Sequence, residues 1–182
     1  MSYHDKIEIK LNTLQKVFFR LFRKTFPNLA DKIVIEKGII NTSNFCFSVK
    51  SDSEVFGKLH FDIDDSEITV FSNYDHRHFE TYLYDEVKDR QSRIQMTCYA
   101  VLDYIKDFVN GKIIIEYQQQ GDKILKSYEY YKDNPTSMFS ATINLLDKPT
   151  KLSFLSRLKK LFYRLDRQPI VTKKVNWFGD IT

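Results

Sequence analysis

The spacing of apolar residues changes twice along this chain, and that change limits the folds open to it. Residues 11–22 place leucine and phenylalanine at helical intervals, and residues 94–109 do so again over several turns. Between them, residues 45–63 alternate apolar with mostly polar side chains. A period near 3.6 indicates amphipathic helix, and a period of two indicates half-buried strand. Helices on both sides of a run of strands predict an α+β fold.

Turn and cap signals divide these runs into elements. The first helix is predicted to stop at Pro27, which lacks a backbone donor. Three strands within residues 44–71 are joined by short turns, so we expect an antiparallel meander with one buried face. A long helix should start near Asp89 and end at Gly111 with a positive φ. Residues 112–131 read as a hairpin around a Gly-Asp turn.

The remaining quarter or so of the chain, from residue 132 on, gives weaker signals. Residues 135–146 are ambiguous and allow one more strand. A basic helical segment is predicted at about 150–167, followed by an irregular tail at 168–182. A length of 182 residues with 42% apolar content suits one domain, 1–182. We predict a mainly antiparallel sheet (helix, three-strand meander, long helix, hairpin, C-terminal helix) with the helices packed on one face.

Cysteine content and hydropathy indicate a compartment. The chain has two cysteines without C-x-x-C spacing, which favours a reducing environment. Its first residues are charged where a signal peptide is apolar, and no apolar stretch approaches ~18 residues. We therefore expect a cytoplasmic protein with no transmembrane segment; the oligomeric state is not indicated.

Charge is distributed unevenly. Residues 62–89 hold nine acids against two bases, and residues 148–174 hold nine bases against one acid. Segments of opposite charge attract different partners. The basic segment, together with Tyr128, Tyr130 and Tyr131 as stacking groups, makes a nucleic-acid-binding accessory protein one alternative.

The stretch SNYDHRHFETY at residues 72–82 raises a second alternative. If His76 and His78 lie on a strand they point to the same face, as metal ligands require. With Asp75 or Glu80 as a third ligand, they would form the centre of a metal-dependent hydrolase.

Other catalytic signals are weak. His4 and His60 sit in no recognisable ligand cluster, Cys98 lies on the apolar stripe of the long helix, and Cys46 is expected on the less buried side of its strand. The chain has no G-x-S-x-G, P-loop or G-x-G-x-x-G pattern. We predict no catalytic residue, no metal and no cofactor.

The acidic stretch is interleaved with aromatic residues, a combination that steers and anchors a basic protein partner. The residues predicted to bind that partner are Asp64, Asp65, Tyr74, Asp75, His76, His78, Glu80, Tyr82, Asp85 and Glu86.

Residues 67–116 run from the strand EITVF through NYDHRHFETY into the long helix, and end in Gly and a strand. This succession resembles the small α+β immunity proteins of bacterial polymorphic toxin–immunity systems, with His76, His78 and Phe79 as the matched positions. The resemblance implies a non-catalytic cytoplasmic protein that binds a cognate toxin and occludes it. The basic helix and the tail KKVNWFGDIT have no counterpart in that pattern.

Overall fold

The computed structural model describes residues 11–36, 44–121, 123–143 and 169–181, with side chains described outside 137–143. Its helices are α1 (Thr13–Thr25), the short α2 (Pro27–Ala30), a 3-10 helix (Thr81–Tyr84) and α3 (Arg90–Val109). Its strands are β1 (Ile33–Glu36), β2 (Phe45–Lys50), β3 (Lys58–Ile63), β4 (Glu67–Phe71), β5 (His76–Glu80), β6 (Ile113–Gln120), β7 (Lys123–Tyr131), β8 (Asn134–Ile143), β9 (Val171–Asn176) and β10 (Gly179–Asp180).

The strands form two antiparallel sheets. Sheet A has the order β1-β2-β3-β4-β5, so neighbours in sequence are neighbours in space. Sheet B has the order β10-β9-β6-β7-β8, and β9 returns to pair with β6 on the side opposite β7. The predicted α+β fold with mainly antiparallel sheet is confirmed, with the strands divided between two sheets.

Helix α1 covers one face of sheet A. Its N-cap, Asn12, forms a capping box with Gln15, which satisfies backbone donors at the start of the helix. Its buried phenylalanines meet those of β2 and β3 at ring-centroid distances of 5.2 to 6.2 Å. The helical and the alternating patterns of the sequence thus meet in one aromatic layer. The rings are those of Phe18, Phe19, Phe22, Phe45, Phe47 and Phe61.

Helix α3 links this layer to sheet B. Asp89 caps its N-terminus through Ser92, and Gly111 follows its end with φ of 69°, as the sequence predicted. Near that end Phe108 packs on Phe56, which also contacts Trp177 beyond β9. Apolar residues from both sheets and both long helices belong to one buried cluster.

Three local predictions need correction. Residues 55–57, predicted within a strand, form a turn in which Gly57 has a φ of 83°. Pro27 opens α2 rather than simply ending α1. The tail is not irregular over its described part, because β9 pairs with β6 and places Val175 beside Ile115 in the core.

Other predictions are confirmed or lie outside the described residues. The hairpin 112–131 is present as β6 and β7, and the ambiguous segment contains β8. The basic helical segment at about 150–167 lies outside the described residues. Among the helices that are described, none has the length and apolar character needed to cross a membrane.

Candidate functional site

Sheet A has a second face made of polar side chains. Across neighbouring strands, Cys46 lies opposite Asp62, Ser48 lies opposite His60, and Thr69 lies opposite Asp62 on its other side. These five side chains alternate with the phenylalanines that meet α1, so they point away from it. All five are buried, with exposed fractions of 1% to 3%. The prediction of only one buried face is therefore wrong for the central strands.

Glu36 of strand β1 organises this polar face. Its Oε1 accepts hydrogen bonds from the Ser48 hydroxyl and the Lys58 ammonium at 2.6 Å each, and its Oε2 lies 2.9 Å from Nδ1 of His60. Burial raises the pKa of Glu36, but the hydrogen bonds and charge of Lys58 with the hydrogen bond of Ser48 outweigh it and bring the pKa to about 2. Glu36 is therefore a carboxylate at neutral pH.

Three potential metal ligands meet beside it. The ligand atoms of Cys46, His60 and Asp62 all lie within 4.8 Å of one another. Asn44 donates a hydrogen bond to Oδ1 of Asp62 at 2.5 Å. Two expectations are corrected here: Cys46 is buried rather than on a less buried side, and His60 does sit in a ligand cluster. Sequence spacing alone could not show this, because the pairing of β2 with β3 brings Cys46 to Asp62.

His76 and His78 lie on the same face of β5, as predicted, with ring centroids 5.1 Å apart. Nδ1 of His78 contacts the carboxylate of Glu67, and the ring of His76 stacks on Phe71. Among the described residues, the two histidines belong to no group of three His, Cys, Asp or Glu side chains whose ligand atoms all lie within 4.8 Å of one another. They are partnered on the sheet surface, and within that part of the chain they lack the third ligand that a catalytic metal requires.

Two residues predicted to bind a partner are not placed for it. Asp75, which directly precedes β5, is 5% exposed, and its Oδ1 accepts a hydrogen bond from His76 N–H at 2.8 Å. Tyr74 packs its ring on Tyr117 at 4.4 Å and donates its hydroxyl hydrogen to the Val55 carbonyl. Burial first, and then Tyr117, raises the pKa of Tyr74 above its ordinary value. Asp75 cannot act as a steering charge, and Tyr74 is committed to internal packing.

The other predicted residues lie together along one border of sheet A. Strand β5 pairs only with β4 among the described strands, so it is an edge of the sheet. The β3–β4 turn adjoins the 3-10 helix, since Thr81 N–H donates to the Ser66 carbonyl at 2.8 Å. Asp64 stabilises that turn by accepting from Ser66 N–H and Glu67 N–H. We call the following side chains the recognition edge: Asp65, His76, His78, Glu80, Tyr82, Leu83, Asp85 and Glu86.

The recognition edge combines negative charge with exposed apolar groups. Tyr82 is 56% exposed and Leu83, which sequence reasoning missed, is 63% exposed. Asp85 is paired with Arg93 at 2.9 Å, whereas Asp65 and Glu86 are exposed acids at the two ends of the edge. A leucine between two tyrosines carried no signal, because the face of a short 3-10 helix cannot be read from periodicity.

Sheet B presents a different surface, on which lysine and tyrosine side chains are neighbours. Lys174 of β9 lies 3.3 Å from the Glu116 carboxylate and 5.9 Å from the ring centroid of Tyr130. Lys126 lies over the ring of Tyr128. These bases are already engaged by carboxylate or ring, and the rest of the predicted basic segment, 148–168, lies outside the described residues.

Comparisons with known proteins assign no family. No protein-family model matches the chain, and neither a curated protein nor a solved structure is significantly similar to it.

Proposed function

We propose that this protein is a non-catalytic binding protein whose recognition edge attaches it to a basic protein partner. The observation that supports this most directly is the combination of Tyr82 and Leu83, both more than half exposed, with acids on either side. Exposed aromatic and aliphatic groups supply anchors that lose water on binding, and the surrounding acids accelerate encounter with a positive surface.

The burial of two acids shows which acids of residues 62–89 can face a partner. Of the nine acids in residues 62–89, Asp62 and Asp75 are buried, and the other seven are partly or fully exposed. The exposed acids outnumber the two bases of this segment, Arg77 and Lys88, and Arg77 packs its guanidinium over the rings of Phe79 and Tyr104. The border of sheet A therefore keeps a negative potential.

The partner we propose is the toxin domain of a bacterial toxin–immunity pair, bound so that its active site or substrate path is occluded. The resemblance of residues 67–116 to immunity proteins supports this choice. A toxin that acts on a polyanion carries a basic surface, which the recognition edge would complement. The action is expected in the cytoplasm, where such a toxin has its target.

The test uses the product of the reading frame next to this one, expressed as an isolated domain. Co-expression with this protein should restore growth that the domain alone suppresses, and the purified proteins should form a stable complex. If this protein neither restores growth nor binds the purified domain, the proposed partner is wrong.

The binding surface is tested by charge reversal. The triple variant Asp65→Lys, Glu80→Lys and Glu86→Lys should slow association about 10-fold or more at low salt and flatten its salt dependence. Asp85 is left unchanged because it pairs with Arg93. A matched triple variant at exposed acids outside the edge, Asp31→Lys, Glu54→Lys and Asp103→Lys, should associate nearly as wild type does. Equal slowing by both variants would show that net charge matters and the recognition edge does not.

A further inference from the structure

We propose that Cys46, His60 and Asp62 form a binding site for a zinc-class divalent metal ion, which fastens β2 to β3 inside sheet A. Their sulfur, nitrogen and oxygen ligand atoms lie within 4.8 Å of one another on the polar face. This site shares no residue with the recognition edge and does not depend on the proposed function.

The imidazole of His60 points to a ligand through its second nitrogen. His60 is 3% exposed, and its buried Nε2 has no hydrogen-bond partner among the residues that the structure describes. A buried polar atom left without a partner costs about 1–3 kcal/mol, so native structures rarely keep one. A metal ion coordinated by Nε2 removes that cost.

The first nitrogen of the same ring is held as metal sites require. Nδ1 of His60 lies 2.9 Å from Oε2 of Glu36, and Glu36 is itself held by Ser48 and Lys58. A carboxylate that accepts from one imidazole nitrogen fixes the ring and its tautomer, and leaves the other nitrogen to the metal.

The charges of the three ligands suit a buried dication. A cysteine thiolate and an aspartate carboxylate carry two negative charges, which a divalent ion neutralises together with a neutral imidazole. An uncompensated charge at a site with ligands 1% to 3% exposed would be strongly unfavourable. Glu36 adds a third negative charge nearby, and Lys58 at 2.6 Å balances it.

The donor types indicate which metals fit. Thiolate with imidazole favours zinc and similar transition metals over magnesium or calcium, which select oxygen ligands. Zinc bonds of roughly 2.0–2.3 Å bring tetrahedral ligands to within about 4 Å of each other, so the side chains need to close by up to ~1 Å. Three protein ligands leave one tetrahedral position to a fourth group outside this set, and because the three are buried we assign the ion a structural role.

The experiment begins with the full-length protein produced without a histidine tag. We expect stoichiometric zinc in the purified protein, or, after chelation, stoichiometric uptake of Zn²⁺ that raises the unfolding midpoint by several degrees. Co²⁺ in place of zinc should give the near-ultraviolet charge-transfer band of a thiolate bound to cobalt. That band reports coordination directly and does not depend on any activity.

Variants locate the site. Cys46→Ser should abolish the cobalt–thiolate band, whereas Cys98→Ser, at the buried cysteine of α3, should retain it. Asp62→Asn should weaken metal binding. Glu36→Gln, which removes the carboxylate that orients His60 and pairs with Lys58, should weaken metal binding about 10- to 100-fold. The double variant His76→Ala and His78→Ala should bind the metal ion as tightly as wild type does.

Wild-type protein that neither contains nor takes up Zn²⁺, and that gives no thiolate band with Co²⁺, would overturn the proposal. So would a band that survives in Cys46→Ser or disappears in Cys98→Ser. If Cys46→Ser does not fold, the wild-type spectrum and the Asp62→Asn and Cys98→Ser variants decide the matter.

Discussion

The hydroxyl oxygen of Tyr104 lies 3.0 Å from each carboxyl oxygen of Glu129. Tyr104 belongs to α3 and Glu129 to β7 of sheet B, and both are buried. Asp75 and Arg77 of sheet A exert their charges on the same pair. A polar contact in the core thus joins α3 to sheet B beside the start of β5.

Glu129 should make the protein less stable as the pH rises. Burial first, and then the charge of Asp75, raises the pKa of Glu129 from 4.5 to about 8, against the opposing effects of Tyr104 and Arg77. Between these two pH values the unfolded chain loses the proton and the folded chain keeps it, so the free energy of unfolding falls with increasing pH.

Glu129→Gln should remove this dependence. Urea unfolding of wild type should lose stability from pH 4.5 to 8, by at most about 1.4 kcal/mol per pH unit from this group, and the variant should show a flatter profile. The exposed Glu54→Gln serves as control and should follow wild type. If the unfolding free energy of Glu129→Gln falls with pH as much as that of wild type, Glu129 is not the source of the pH dependence.

Tyr104→Phe removes the hydroxyl from the same contact. The buried Glu129 carboxyl then loses its hydrogen-bond partner from α3, and we expect a loss of about 1–3 kcal/mol in the free energy of unfolding. Tyr99→Phe, at an exposed tyrosine on the same helix, is the matched control. A loss no larger than that of the control would mean that the contact contributes nothing net.

The aromatic layer between α1 and sheet A should be the most sensitive part of the core. Phe47 is fully buried, stacks on Phe61 at 4.6 Å and contacts rings of α1. Phe47→Ala should cost about 3–5 kcal/mol because it leaves a cavity among these rings. Leu83→Ala, at an exposed position, should change stability by less than about 0.5 kcal/mol. Similar unfolding free energies for the two variants would contradict this packing.

A side chain at Gly111 should destabilise the protein. Its φ is 69°, and a Cβ atom there would lie 2.9 Å from the ring of Phe178. Gly111→Ala therefore combines backbone strain with a steric clash, and we expect a loss of at least about 1 kcal/mol. Thermal unfolding of this variant and of Gly111→Ala with Phe178→Ala separates the two causes, since the second substitution relieves only the clash. If Gly111→Ala alone is as stable as wild type, neither backbone strain nor the steric clash operates.

Local sequence signals located most elements but not their long-range pairing. The period of residues 94–109, the change of period near Asp89 and the glycine at 111 predicted α3, because each of these signals acts within a few residues. Strand β9 was missed, since VTKKVN has little apolar content and only Val175 faces the core. Its stability as a strand comes from pairing with β6, a partner far away in sequence.

The sequence predicted the composition of the surface segment 62–86 better than it predicted which of its side chains are exposed. It indicated an acidic, aromatic segment at 62–86, and most residues of that segment are at least partly exposed. It could not show that Asp75 turns into the core or that Leu83 turns out of it. The direction of a side chain at a strand end or in a 3-10 helix depends on what packs around it, which a single sequence does not contain.

The sequence by itself therefore determined the α+β class, the two long helices, the meander, the hairpin and the negative charge of one segment, because these follow from periodicity, caps and composition. Only the tertiary structure decided that Cys46, His60 and Asp62 meet and that Glu36 orients the imidazole. Cys46 and Asp62 are brought opposite each other by strand register, and register is set by the burial of a whole face rather than by any residue at the site.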